Sequence, residues 1–155
     1  MAKQISLLYG PLDALIREKE ISRQLIHEQI GRRYIFKENG SFSDLSEEEQ
    51  KIWAHYVDTY KIPRLNEMRK ILRENVELMY DSEIPSCVFN FLDYAIGWEL
   101  LDNQKKNGVK NYYEYYYRYN YPKSFDRYVK ETLASLLKQQ AELMKEIRPE
   151  SILEE

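Results

Sequence analysis

Apolar residues recur at helical spacings through most of the chain. Leu12, Leu15 and Ile16, then Ile21, Leu25, Ile26 and Ile30, trace one face of a helix over about 12–37, with Glu18-Lys19-Glu20 on its solvated side. Ser46 followed by Glu49 has the spacing of a capping box and opens a short helix over about 47–60 with Ile52, Trp53, Tyr56, Val57 and Tyr60 on its apolar face. Leu65, Met68, Leu72, Val76 and Met79 make the cleanest stripe, with Arg64, Glu67, Lys70, Arg73, Glu74 and Glu77 on the wet side, as in a half-buried helix. Between about 85 and 106 the pattern changes. Val88, Phe89, Phe91, Leu92, Ala95, Ile96, Trp98, Leu100 and Leu101 spread round most of the circumference, which predicts a central helix. A last stripe, Val129, Leu133, Leu136, Leu137, Ala141, Met144 and Ile147, predicts a helix over about 125–148.

Punctuation supports these boundaries. Pro11, Pro63, Pro85 and Pro122 each stand at the head of a helix-like segment, where a missing N–H costs little, and Pro149 follows the last one. Ile62-Pro63 predicts a break, because the residue before proline is pushed out of the α region. Asn39-Gly40-Ser41 and Asn107-Gly108 read as a loop and a helix stop. The expected fold is therefore all-α, a helical bundle of four longer helices plus one short helix. It forms one domain over 1–148, followed by an acidic, frayed tail over 149–155.

Composition narrows the class. A chain of 155 residues, 43% hydrophobic and 32% charged, has enough apolar surface for a core without disulfides or metals. Cys87 is the lone cysteine, so no internal disulfide is possible. Neither a signal-peptide pattern nor an apolar run of transmembrane length is present, and a cytoplasmic location is the expectation.

The net charge of −3 conceals a segregation: +3 over 1–37, −8 over 38–104, +5 over 105–130 and −3 over 131–155. Such blocks are commonly solvated faces, and a localised positive surface also attracts anions. The basic block coincides with a tyrosine cluster. Seven of the fourteen tyrosines fall between Tyr112 and Tyr121, preceded by Lys105, Lys106 and Lys110, interrupted by Arg118 and followed by Lys123 and Arg127. Consecutive rings cannot all face one core, whether the segment is a helix or extended. Tyr113, Tyr116, Tyr117 and Arg118 are the candidate partner-binding residues, since exposed tyrosines beside a guanidinium favour protein interfaces. An aromatic end-cap on the bundle explains the same residues without any partner. Stacking of single-stranded nucleic acid or a nucleotide is a third reading.

Catalytic signatures are missing. His27-Glu28 begins like a zincin motif, but Gly31 stands where the second ligand belongs. His55 is spaced for Asp58 to orient it, which makes it the one candidate for an enzyme of unrecognised type. Cys87 sits in a first helical turn, yet Val88 and Phe89 beside it predict an inert, buried thiol. No catalytic residue, cofactor or metal ligand is assigned. The function expected is that of a non-enzymatic helical binding protein, an adaptor, regulator or inhibitor. Its partner is a protein, a second copy of the chain included. Nucleic acid or a nucleotide is the alternative, and no membrane is involved.

Three stretches carry a resemblance: Tyr9-Gly10-Pro11-Leu12, Ile62-Pro63-Arg64-Leu65-Asn66-Glu67-Met68 with Asn75 and Leu78, and Ile84-Pro85 leading to Phe91-Leu92. In these the chain is similar to a loose group of uncharacterised small helical proteins of bacteria and their phages. Many of that group carry a membrane anchor ahead of the first helix; none is read here. The resemblance implies a bacterial or phage origin and brings no activity or site with it.

Overall fold

Two prolines shape the helices more than any stop signal does. A computed structural model of the chain describes residues 1–31, 44–110 and 120–147. Within them, a π-helical turn at Gln4–Tyr9 runs directly into α1 (Gly10–Ile30). Likewise α2 (Glu47–Tyr56) passes through a π-helical turn at Val57–Lys61 into α3 (Ile62–Glu74). Each π turn is capped by the residue before a proline: the Gly10 N–H donates to the Ile5 carbonyl and the Ile62 N–H to the Val57 carbonyl. A proline ring within a helix crowds the carbonyl four residues back, and the wider π turn makes room for it. Ile62-Pro63 is thus a π bulge inside one continuous helix and not the break expected of it.

Gly10 is required by this packing. A Cβ there would lie 2.4 Å from the Ile5 carbonyl oxygen. Glycine to alanine within a helix ordinarily stabilises by about 1 kcal/mol. Here the backbone clash reverses the sign, and Gly10→Ala is expected to cost roughly 1–3 kcal/mol. Thermal denaturation checks it; an unchanged or raised midpoint would mean that the π turn relaxes freely.

A single 3₁₀ turn (Val76–Leu78) follows α3, and α4 (Ser86–Lys106) and α5 (Lys123–Ile147) complete the described elements, all of them helical. The all-α expectation holds. Helix contacts close a ring, α1 to α3, α3 to α4, α4 to α5 and α5 to α1, with α2 also against α1. This is the cross-section of a four-helix bundle. The Ser46 capping box is present as expected: Ser46 Oγ accepts from the Glu49 N–H and Glu49 Oε1 accepts from the Ser46 N–H, both at 3.1 Å. Gly31, at φ 73°, ends α1 in a left-handed cap, so the helix stops at Ile30 and not near residue 37.

Phe91 and Phe125 stack at the centre with ring centroids 4.3 Å apart, and Leu12, Ile16, Met68, Val129 and Leu136 are equally buried. A hydrogen-bond chain ties the α3–α4 connection to the rest. The Tyr80 N–H donates to Tyr9 Oη (2.8 Å), whose hydroxyl meets that of Tyr128 (2.9 Å), which donates to Asp81 (2.9 Å).

Three stripes differ from expectation. In α1, Ile21 and Leu25 are 62% and 59% exposed, whereas Lys19 on the supposed solvated side is half-buried. In α4, Phe89, Ile96 and Leu100 form an exposed line, so this helix is a member of the ring and not a sheathed centre. In α5, Leu137, Met144 and Ile147 are exposed, and Leu136 is the last buried residue of the helix among the described residues.

Candidate functional site

The α1 stripe explains where charge enters the interior. Stepping by three and four from Leu12 and Ile16 reaches Lys19, Arg23 and Ile26 before Ile30. Two cations therefore continue the core-phase row where α5 begins, Lys19 half-buried and Arg23 exposed. Here α1, α4 and the start of α5 enclose an open cleft of about 1060 Å³.

Its inner wall is aromatic. Tyr94 is buried, and Tyr121 meets it edge-on at 5.1 Å and meets Phe91 at 6.5 Å. Lys19 Nζ lies 3.4 Å from the Tyr121 ring centroid and pairs with Asp126, to which the Tyr121 hydroxyl also donates. Burial pulls the Lys19 ammonium below the usual lysine range, although Asp126 opposes the shift. Burial, reinforced by the Asp126 charge, raises the Tyr121 phenol, and burial raises that of Tyr94, so both stay neutral hydrogen-bonding groups. At the rim, Lys130 and Glu20 pair at 2.8 Å. Arg23, Lys123 and Arg127 also line the cleft and form no carboxylate pair among the described residues. The local surface is thus cationic beyond its own ion pairs.

Behind this wall stand two further cations. The Lys61 ammonium sits over Trp98, 3.6 Å from the ring centroid, with Tyr94 and Trp53 at 5.4 and 5.7 Å. Burial first, then Arg23, Lys19 and Arg64, push its pKa down to about 7. Arg64 is only 8% exposed, and its Nη2 donates to Ser22 Oγ at 2.8 Å. No described carboxylate pairs with either. The π turn and Pro63 set both in place: Lys61 closes the turn and Arg64 follows the proline.

The sequence-derived candidates fare differently. Tyr113, Tyr116, Tyr117 and Arg118 lie outside the described residues, as do Asn39-Gly40-Ser41 and the 149–155 tail. Tyr121, Lys123 and Arg127 from the same basic block are brought to the cleft. His55 is exposed, with Nδ1 3.4 Å from Thr59 Oγ1, while Asp58 pairs with Lys106 at 3.2 Å. The expected His55–Asp58 arrangement is not formed. Burial raises the Cys87 thiol, in line with an inert cysteine. Among the described residues no group of three or more His, Cys, Asp or Glu has a metal-holding arrangement, and no helix is long and apolar enough to cross a membrane. The sequence patterns place Lys19 and Arg64 on solvated faces, whereas the structure half-buries Lys19 and buries Arg64; they give no role to Arg23 or Lys61. The available signal was cations at core-phase positions of α1 and on both sides of Ile62-Pro63.

No protein-family model matches the chain, and no curated protein or solved structure is significantly similar to it.

Proposed function

We propose that the protein is a non-enzymatic helical binding protein, an adaptor, regulator or inhibitor, and that it receives an anionic segment of a protein partner in the cleft between α1 and α5. The observation that carries this reading is the surplus of cations over carboxylates on an aromatic wall: five cations, Lys19, Arg23, Lys123, Arg127 and Lys130, line the cleft against three carboxylates, Glu20, Asp126 and Glu131. Arginine with tyrosine is the composition favoured at interface hot spots. Tyr113, Tyr116, Tyr117 and Arg118 precede Asn120 of the cleft by two to seven residues, which puts the tyrosine cluster in chain continuity with it.

A protein partner is favoured over nucleic acid by how the described rings are used. Base stacking needs a free ring face. One face of Tyr121 carries Lys19, its edge contacts go to Tyr94 and Phe91, and Tyr94 is buried.

Titration of the isotope-labelled protein with a short poly-glutamate peptide and a short oligothymidylate tests this. The peptide is expected to shift the backbone resonances of Arg23 and Arg127 saturably. The charge reversals Arg23→Glu and Arg127→Glu together should weaken it by roughly tenfold or more. Preferential binding of the oligothymidylate, with affinity falling steeply as salt rises, would transfer the site to nucleic acid. Absence of either response would remove the cleft from consideration.

A further inference from the structure

The face of α5 turned away from the core carries a continuous seam. Lys123, Arg127 and Lys130, then Ala134, Leu137, Ala141 and Met144, follow one another at alternating steps of four and three, and every one is exposed. That alternation is the heptad spacing by which one helix offers a stripe to another. The buried residues of the same helix, Phe125, Val129, Thr132 and Leu136, lie on its opposite side, so the seam takes no part in the core. Its chemistry changes along its length. The three cations line the cleft, whereas the four residues after them are apolar, with Leu137 and Met144 45% and 48% exposed. Beyond the helix come Glu150, Glu154 and Glu155, against the single cation Arg148. The order along the chain is thus basic, apolar, acidic, and such a sequence is complementary to a copy of itself running the other way.

We infer that a second copy of the chain occupies this seam, α5 against α5 in an antiparallel two-fold pairing, and that the acidic residues 150–155 of each copy enter the cleft of the other. The inference rests on the cleft reading above and names the anionic segment that the cleft receives. Size and charge fix the register. With Leu137 opposite the partner's Ala141, and Met144 opposite the partner's Ala134, each large side chain meets a small one. The same offset brings residues 148–155 to the partner's Lys130, Arg127 and Lys123, and sets Glu131 beside the partner's Lys145. Lys138 meets its symmetry mate on the exposed rim, where salt screens the repulsion. Reach favours a second copy over the chain's own tail. Arg127 and Ile147 stand about 30 Å apart along α5. Residues 148–155 span at most about 26–29 Å when fully extended, so a tail doubling back along its own helix falls short of its own Arg127. An antiparallel partner removes the detour, because its cleft lies where the tail begins. The contact is isologous and closes at the dimer.

Sedimentation velocity of the full chain over a range of concentrations, at low and high salt, tests this. A monomer–dimer equilibrium that weakens as salt rises is expected. Leu137→Glu, at an exposed position outside the core, should abolish the dimer while keeping the melting temperature. Glu150→Lys, Glu154→Lys and Glu155→Lys together should weaken it by roughly tenfold or more. The same triple variant should bind the poly-glutamate peptide more tightly than the parent does, since the competing tail is gone. Adding Lys123→Glu and Arg127→Glu to the triple variant should restore the dimer, a rescue that a purely structural role for these residues would not give. A chain that stays monomeric at every concentration would overturn the inference, and if it still binds poly-glutamate the cleft reading stands without it. A dimer that survives Leu137→Glu uses another face and overturns the inference equally. A dimer lost in Leu137→Glu but unmoved by the tail reversals would overturn the entry of the tail into the cleft.

Discussion

Phe91→Ala should lower the unfolding free energy by about 3–5 kcal/mol, the range for removing a fully buried phenylalanine when the cavity stays open. Phe91 has no exposed surface and stacks on Phe125 at a centroid distance of 4.3 Å with planes 14° apart. It is also the residue through which α4 meets the cleft, since its ring edge contacts Tyr121. Collapse into the space it leaves is opposed from two sides. Phe125 is anchored in the first turns of α5, and the Tyr121 hydroxyl is held by Asp126. Leu92, its neighbour, is only partly buried, and Leu92→Ala should cost clearly less. Chemical denaturation of the two variants checks the order. Equal losses, or a loss at Phe91 within about 0.5 kcal/mol as for surface sites, would place the core elsewhere.

How far the chain itself announced this arrangement varies with the kind of signal. Helical periodicity, the Ser46–Glu49 cap and the Asn107-Gly108 stop are local, and each is found where its residues place it. Gly31 lies inside the stretch that periodicity assigns to one helix, and only its positive φ makes it the end of α1. The prolines were read as starts since a π turn leaves no pattern in the sequence; it is an adjustment to a ring already committed to a helix. Burial was misjudged where apolar residues exceed the available interior. Periodicity identifies which residues share a face, but in α4 it could not distinguish the face covered by α3 and α5 from the Phe89–Ile96–Leu100 line left outside. The cleft was the least legible part. Its basic side is visible as the +5 block, yet Lys19 and Arg23 come from a segment that looks like ordinary amphipathic helix, and only the packing of α1 against α5 brings them beside that block.

Lys61→Met is expected to stabilise the protein, by roughly 1–3 kcal/mol near pH 6. The parent carries an ammonium whose pKa falls from 10.5 to about 7 on folding, chiefly through burial and then through Arg23, Lys19 and Arg64. The groups acting on it are those cations from α1 and α3 and the rings of Trp53, Tyr94 and Trp98 from α2 and α4. Between pH 7 and about 10 the unfolded chain binds more protons at Lys61 than the folded one does, so this residue's contribution to stability rises with pH. Below pH 7 both states carry the charge and the full cost of burying it is present. Methionine keeps the length and packs its sulfur against the same rings, offsetting the lost attraction between the ammonium and Trp98. Tyr94, Tyr121 and Tyr128, whose phenols are raised by folding, oppose this trend only as their unfolded-state ionisation sets in near pH 10, and they do so equally in parent and variant. The difference between the two proteins is therefore the diagnostic quantity. Urea denaturation at a series of pH values should give a gap that is widest near pH 6 and closes as pH approaches 10. A gap independent of pH, or a variant less stable than the parent at pH 6, would show that Lys61 is compensated within the fold.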